Sequence, residues 1–164
     1  MTPERKQQIS WALYDWANSA VATTVMAGFF PIFFAKYWAV DLTDGERTYW
    51  LGWGGSIASI VVMLMAPLLG GLADRTGSKK RFLFISTLIG ALSTAALFMV
   101  ARGDWQAALV LFTLGSIGFF AGTSFYDSLI VHVARDDEMD RVSAWGYGAG
   151  YLGGGLLFLV NVLM

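Results

Sequence analysis

Two acids lie inside long apolar runs, and the residues around them indicate the chemistry open to them. Asp15 falls in Tyr14-Asp15-Trp16-Ala17-Asn18-Ser19-Ala20. With Asn18, Ser19, Ala22, Thr23 and Met26 at three-and-four spacing, it forms one small or polar stripe on a helix. A carboxylate beside an amide can bind an amino group or a proton. In hydrocarbon such a carboxylate is expensive unless it is paired, protonated or solvated by a cavity. Two readings stand for Asp15: a snorkelling or capping acid at a helix start, or a cavity wall touching substrate or proton. The second acid, Asp127, shares a stripe with Thr113, Ser116, Thr123 and Ser124 near the end of a later run. A structural latch, an ion pair with Arg75 or Arg81, is favoured there over direct contact with substrate.

Those cations belong to the most basic loop of the chain, Gly70 to Arg81, where Arg75, Lys79, Lys80 and Arg81 crowd together behind Asp74. Gly70 and Gly77 permit close backbone approach and a tight reversal, and Asp74 sets a carboxylate beside the cations that open the next helix. Other chemistry finds few residues. Cysteine is absent and His132 is the single histidine, at a helix end where an interfacial place is expected. No disulfide framework or thiolate metal site is possible, and no Ser/His/Asp set, metal-ligand cluster or phosphate-cradling glycine loop is evident, since the single histidine excludes most of them. No cofactor or metal is expected. Two Tyr-Asp pairs raise an intramembrane aspartyl protease, in which paired carboxylates share a proton and activate water. Such enzymes resemble Tyr-Asp in one span and Gly-x-Gly-Asp in the next, and the latter does not occur here.

The elements that must position these residues are membrane helices. The 164 residues are 56% hydrophobic and only 14% charged, with a mean hydropathy of +0.57. That balance is remote from a soluble domain. Apolar runs at about 10–38, 49–72, 82–101, 105–133 and 142–164 each reach the roughly 20 residues a helix needs to cross hydrocarbon. The expected fold is all-α, a polytopic membrane bundle of five spans with short polar links and no soluble domain. A net charge of −1 gives no basic excess for nucleic acid.

Cation placement orients the spans. With the amino terminus inside, Arg5, Lys6, Arg75, Lys79, Lys80, Arg81, Arg135 and Arg141 lie inside, and only Lys36, Arg47 and Arg102 outside. Basic residues resist translocation, so a cytoplasmic amino terminus is expected, in a bacterial inner membrane or its equivalent. Trp38, Tyr49, Trp50 and Trp105 then fall near the outer interface. The polar start of the chain lacks a cleavage site, so the first span is not read as a signal peptide. Met164 ends an apolar run without a polar flank, which reads as a fragment. In the second run, Gly52, Ser56, Ser59, Met63 and Gly70 make a packing face, with a bend allowed at Pro67. In the last, Gly146, Gly150 and Gly154 make a small-residue seam, with Asn161 on about the same face.

Gly70, Asp74, Arg75, Gly77, Lys79 and Arg81 resemble the loop signature between helices two and three of the major facilitator superfamily of secondary transporters. Tyr14 to Ala20 looks like the hallmark of its vacuolar amino-acid effluxer-like branch. Phe125-Tyr126-Asp127-Ser128-Leu129, and Arg141-Val142-Ser143 with Gly146 and Gly150 to Gly154, are similar to the same branch. Gly150, Gly154 and Gly155 match the superfamily's antiporter motif, with Tyr151 in place of its proline. The resemblance implies two six-helix bundles, of which this chain would be most of the first. It lacks the sixth helix and the carboxy-terminal bundle. It also implies alternating-access transport, in the efflux direction, of amino acids or related small metabolites, with or without a coupling proton. Asp15, Asn18, Ser19, Thr23 and Asn161 would line the substrate path, and Asp127 would join the loop in gating. A non-transporting assembly or regulatory subunit is the alternative.

Overall fold

The computed structural model describes residues 2–164, which are 88% helical and, among the described residues, without a strand. Helix α1 (Pro3–Ala20) continues through a π-helical stretch (Val21–Phe29), a short α2 (Phe30–Phe33) and a second π-helical stretch (Phe34–Trp38). Then come α3 (Asp44–Thr76), α4 (Lys79–Ala96) with a 3-10 turn (Leu97–Met99), α5 (Trp105–Ser128), α6 (Ile130–Val133) and α7 (Met139–Leu163). Five of these pieces are long and apolar enough to cross a membrane: Pro3–Trp38, α3, Lys79–Met99, α5 and α7.

Local chemistry sets the helix ends beyond or short of the apolar runs. Helix α1 starts at Pro3 because Thr2 caps it, its hydroxyl accepting the Arg5 amide at 3.3 Å. Asp15 therefore lies well inside α1, and the capping reading of that acid does not hold. Helix α3 starts at Asp44 because Thr43 and Glu46 close a reciprocal capping box, with the Thr43 amide donating to Glu46 at 2.8 Å. It ends where Gly77 turns left-handed, at φ 62°. The run expected at 105–133 is two helices, because the chain turns at Leu129 between α5 and α6.

The first span departs most from expectation, since its middle is not α-helical. Pro31, in the short α2, brings no N–H to the ladder. That missing donor disturbs the i to i+4 ladder, and wider i to i+5 turns flank the proline on either side.

The fold divides into two compact units, and the division falls inside the first and fourth spans. One holds the chain up to Phe29 with Tyr126–Met164. Its centre is α1 against α7, which run parallel: Gly146 faces Trp11, Gly150 faces Asp15 and Ser19, and Phe158 reaches Phe29.

The other unit is Phe30–Phe125. Phe30, Phe34, Trp38, Ala39 and Ala108 form its buried core, with Phe30 stacked on Phe112 at 3.9 Å. Trp38 donates to the Val100 carbonyl at 3.3 Å, and Trp50 lies 5.1 Å from Trp105. Arg47 fastens the α2–α3 link, donating to the Ala39 carbonyl at 2.9 Å and the Val40 carbonyl at 3.1 Å. Helices α4 and α5 meet at glycines: a Cβ on Gly118 would lie 2.6 Å from the Gly90 amide nitrogen.

Candidate functional site

In the unit built on α1 and α7, Asp15 is only 8% exposed although it sits in a span. What lets it be buried is the absence of a side chain opposite. A Cβ on Gly150 would collide with the Asp15 carboxylate and come 2.7 Å from the Ser19 hydroxyl. One turn on, a Cβ on Gly154 would come 3.0 Å from the Ser19 carbonyl and 3.0 Å from the Thr23 hydroxyl, whose single O–H is shared between the Ser19 carbonyl at 3.0 Å and the Gly154 carbonyl at 3.1 Å. Gly146 lies against the Trp11 indole, and Gly153 against the backbone and ring of Trp16. Four glycines thus bring α7 down onto the face of α1 that carries the acid.

The structure therefore gathers Asp15, Ser19 and Thr23 along one seam with Gly146, Gly150 and Gly154. Asn18 is half-buried on the same helix. Asn161 lies two turns beyond Gly154, and its amide donates to the Leu157 carbonyl of its own helix at 2.8 Å. Gly153 was not singled out by the four-residue spacing, because it belongs to the adjoining three-residue row.

Three aromatic residues that periodicity did not mark surround this acid. The Trp11 indole N–H donates to the Tyr126 carbonyl at 3.2 Å, and its ring stacks on that of Tyr126 at 4.4 Å. Tyr14 also stacks on Tyr126, at 5.1 Å. Tyr126 is 1% exposed, and its hydroxyl has no hydrogen-bond partner among the described residues. Asp127 is exposed at the end of α5 and accepts a hydrogen bond from the Tyr147 hydroxyl at 3.3 Å. The signal in the sequence was the repeated Tyr-Asp pair, Tyr14-Asp15 and Tyr126-Asp127.

No basic side chain of α1 approaches this acid. Lys6 is nine residues before Asp15, about 13 Å along the axis at 1.5 Å per residue. Arg135 and Arg141 pair with Asp137 at 3.2 Å and with Glu138 at 2.7 Å. A cleft of about 550 Å³ opens at the first turns of α1 and α7, lined among others by Arg5, Gln8, Glu138 and Trp145. It does not include Asp15, so it is distinct from the glycine seam.

In the other unit, the basic loop is a short turn between α3 and α4. Gly77 makes the reversal, the Ser78 amide donates to the Ala73 carbonyl at 3.1 Å, and Thr76 hydrogen-bonds Ser78. Lys79 reaches back across the turn to Asp74 at 2.7 Å. The Asp74 side chain is 63% exposed, and pairs of this kind contribute about 0–1 kcal/mol to stability. Arg75 and Arg81 are exposed. Gly70 takes no part in the reversal; it lies inside α3, with nothing within 4 Å of where its Cβ would be.

Comparison with known proteins gives these features a family. The model of the family described as "Vacuole effluxer Atg22 like" matches residues 53–139, a stretch that includes both the basic loop and Phe125 to Leu129. An uncharacterized MFS-type transporter, YxiO of Bacillus subtilis, is 35% identical over 158 residues, 96% of this chain and 37% of its own. An uncharacterized protein of Aquifex aeolicus is 28% identical over 159 residues, 96% of this chain and 39% of its own. The chain thus spans about two fifths of the length of the curated relatives it matches. No solved structure matches it. The chain belongs to the vacuole effluxer Atg22-like family of the major facilitator superfamily.

Proposed function

We propose that the chain is the amino-terminal part of a secondary transporter that moves amino acids or related small metabolites, in the efflux direction, by alternating access. It would work with a second bundle and, in the proton-coupled form, with a proton. The observation that carries the reading is the burial of Asp15 opposite Gly150. An ionisable side chain retained inside a membrane span, kept from lipid by its burial against α7, is a mark of a substrate or ion path. Family membership supports transport over a protease or a passive subunit.

In this reading Asp15, Asn18, Ser19, Thr23 and Asn161 line the path. Gly70, Asp74, Arg75, Gly77, Lys79 and Arg81 form a gating loop, which Asp127 joins by pairing with Arg75 or Arg81. The amino terminus is cytoplasmic. Transport requires two rigid units moving against each other, so residues 1–164 alone carry no flux.

Proteoliposomes holding the product of the complete reading frame test this with a mixture of labelled amino acids. Counterflow of at least one amino acid is expected. Asp15→Asn should impair accumulation against a gradient more than exchange, since the shape is kept and the charge lost. Normal accumulation by Asp15→Asn, Asn18→Ala and their double variant would remove this face from the path.

A further inference from the structure

We infer that Asp15 and the Tyr126 hydroxyl together form a subsite for a primary ammonium group, the end of the transported molecule that this half of the transporter holds. The inference rests on the transport reading above and assigns chemistry to its site. Three observations converge on it.

First, both groups are more than nine-tenths buried, and the Tyr126 hydroxyl has no hydrogen-bond partner among the described residues. An unmade buried hydrogen bond costs about 1–3 kcal/mol, so a hydroxyl kept there is expected to have a use. Second, the hydroxyl is held in place. Stacking on Trp11 and Tyr14 and the Trp11 hydrogen bond to the Tyr126 carbonyl fix the ring, so a ligand meets a group already ordered. Third, the local charge has one sign. Asp15 follows Tyr14, whose ring stacks on Tyr126, and Asp127 follows Tyr126 itself, whereas the cations of this unit, Arg5, Lys6, Arg135 and Arg141, stand outside the apolar runs.

An ammonium group answers all three. It has three donors and no acceptor, which suits one carboxylate and one hydroxyl oxygen with the Ser19 hydroxyl beside Asp15. Its charge is attracted to nearby aromatic faces. A carboxylate end would meet Asp15 with like charge and without a donor of positive charge. The geometry therefore orients an amino acid ammonium-first toward α1.

The test uses the product of the complete reading frame in nanodiscs and three probes of equal chain length, n-butylammonium chloride, sodium butyrate and n-butanol, at fixed ionic strength. Saturable thermal stabilisation by n-butylammonium alone is expected. Asp15→Asn should weaken it at least tenfold, and Tyr126→Phe, which removes only the hydroxyl, about threefold to tenfold. If Asp15→Asn does not fold, Tyr126→Phe still decides. The inference is overturned if n-butylammonium gives no saturable shift, if the variants that fold bind it within twofold of the parent, or if sodium chloride at equal concentration gives the same shift. Flux is measured separately on the same preparations. Ammonium binding through Asp15 without amino-acid flux sinks the transport reading and leaves the subsite. Flux with unaltered ammonium binding in both variants sinks the subsite and leaves transport.

Discussion

Gly150 of α7 stands directly against the carboxylate of Asp15 on α1, so closely that a Cβ at this glycine would collide with it. The acid of one span is enclosed by what the other lacks. The seam is therefore both a packing surface and one wall of the candidate site, and substitutions along it separate the two roles.

Gly150→Ala should destabilise the protein by about 1–3 kcal/mol, the usual cost of overpacking a fitted contact, and displace Asp15 and Ser19. Gly148 has nothing within 4 Å of its missing Cβ, so Gly148→Ala should be neutral or slightly stabilising. Thermal unfolding in detergent compares the two. Equal melting temperatures would mean that the seam opens without cost.

The contact of α4 with α5 makes a like contrast. A Cβ on Gly118 would lie 2.6 Å from the Gly90 nitrogen and 2.7 Å from the Ser86 oxygen, both backbone atoms, whereas one on Gly115 would find 3.6 Å. Backbone cannot swing aside, so Gly118→Ala should lower the melting temperature more than Gly115→Ala. The reverse order would contradict this packing.

Asp74 meets Lys79 with its own side chain 63% exposed, so solvent screens the pair and leaves it too weak to decide folding. In the product of the complete reading frame, Asp74→Asn should lower transport at least tenfold with membrane abundance near normal. Blotting of membranes beside flux measurement checks it, and loss of the protein itself would assign Asp74 to folding instead.

Orientation can be read directly because the chain has no cysteine. Asp41 and Lys80 are exposed and lie in opposite links, which makes Asp41→Cys and Lys80→Cys suitable reporters. With the amino terminus inside, an impermeant thiol reagent added to intact cells should label the first and spare the second. Labelling of Lys80→Cys alone would invert the topology.

The sequence by itself determined the class, the five spans and the family. These rest on composition, on runs long enough to cross hydrocarbon, and on four separated motifs, Tyr14 to Ala20, Gly70 to Arg81, Phe125 to Leu129 and Arg141 to Gly154, all of which act locally or at fixed spacing. It marked Asp15 with Ser19 and Thr23, and the glycines of α7, as two separate stripes. That the stripes face each other, with Gly150 on Asp15 and Gly154 on Thr23, was decided only by packing between residues about 130 positions apart. The π-helical stretches were equally hidden, because they flank Pro31 within one helix and leave the hydrophobic pattern unchanged. Tyr126 was legible only as half of a repeated dipeptide. Its part in the site comes from the tertiary structure, which lays Trp11 and Tyr14 on its ring and buries its hydroxyl without a hydrogen-bond partner among the described residues.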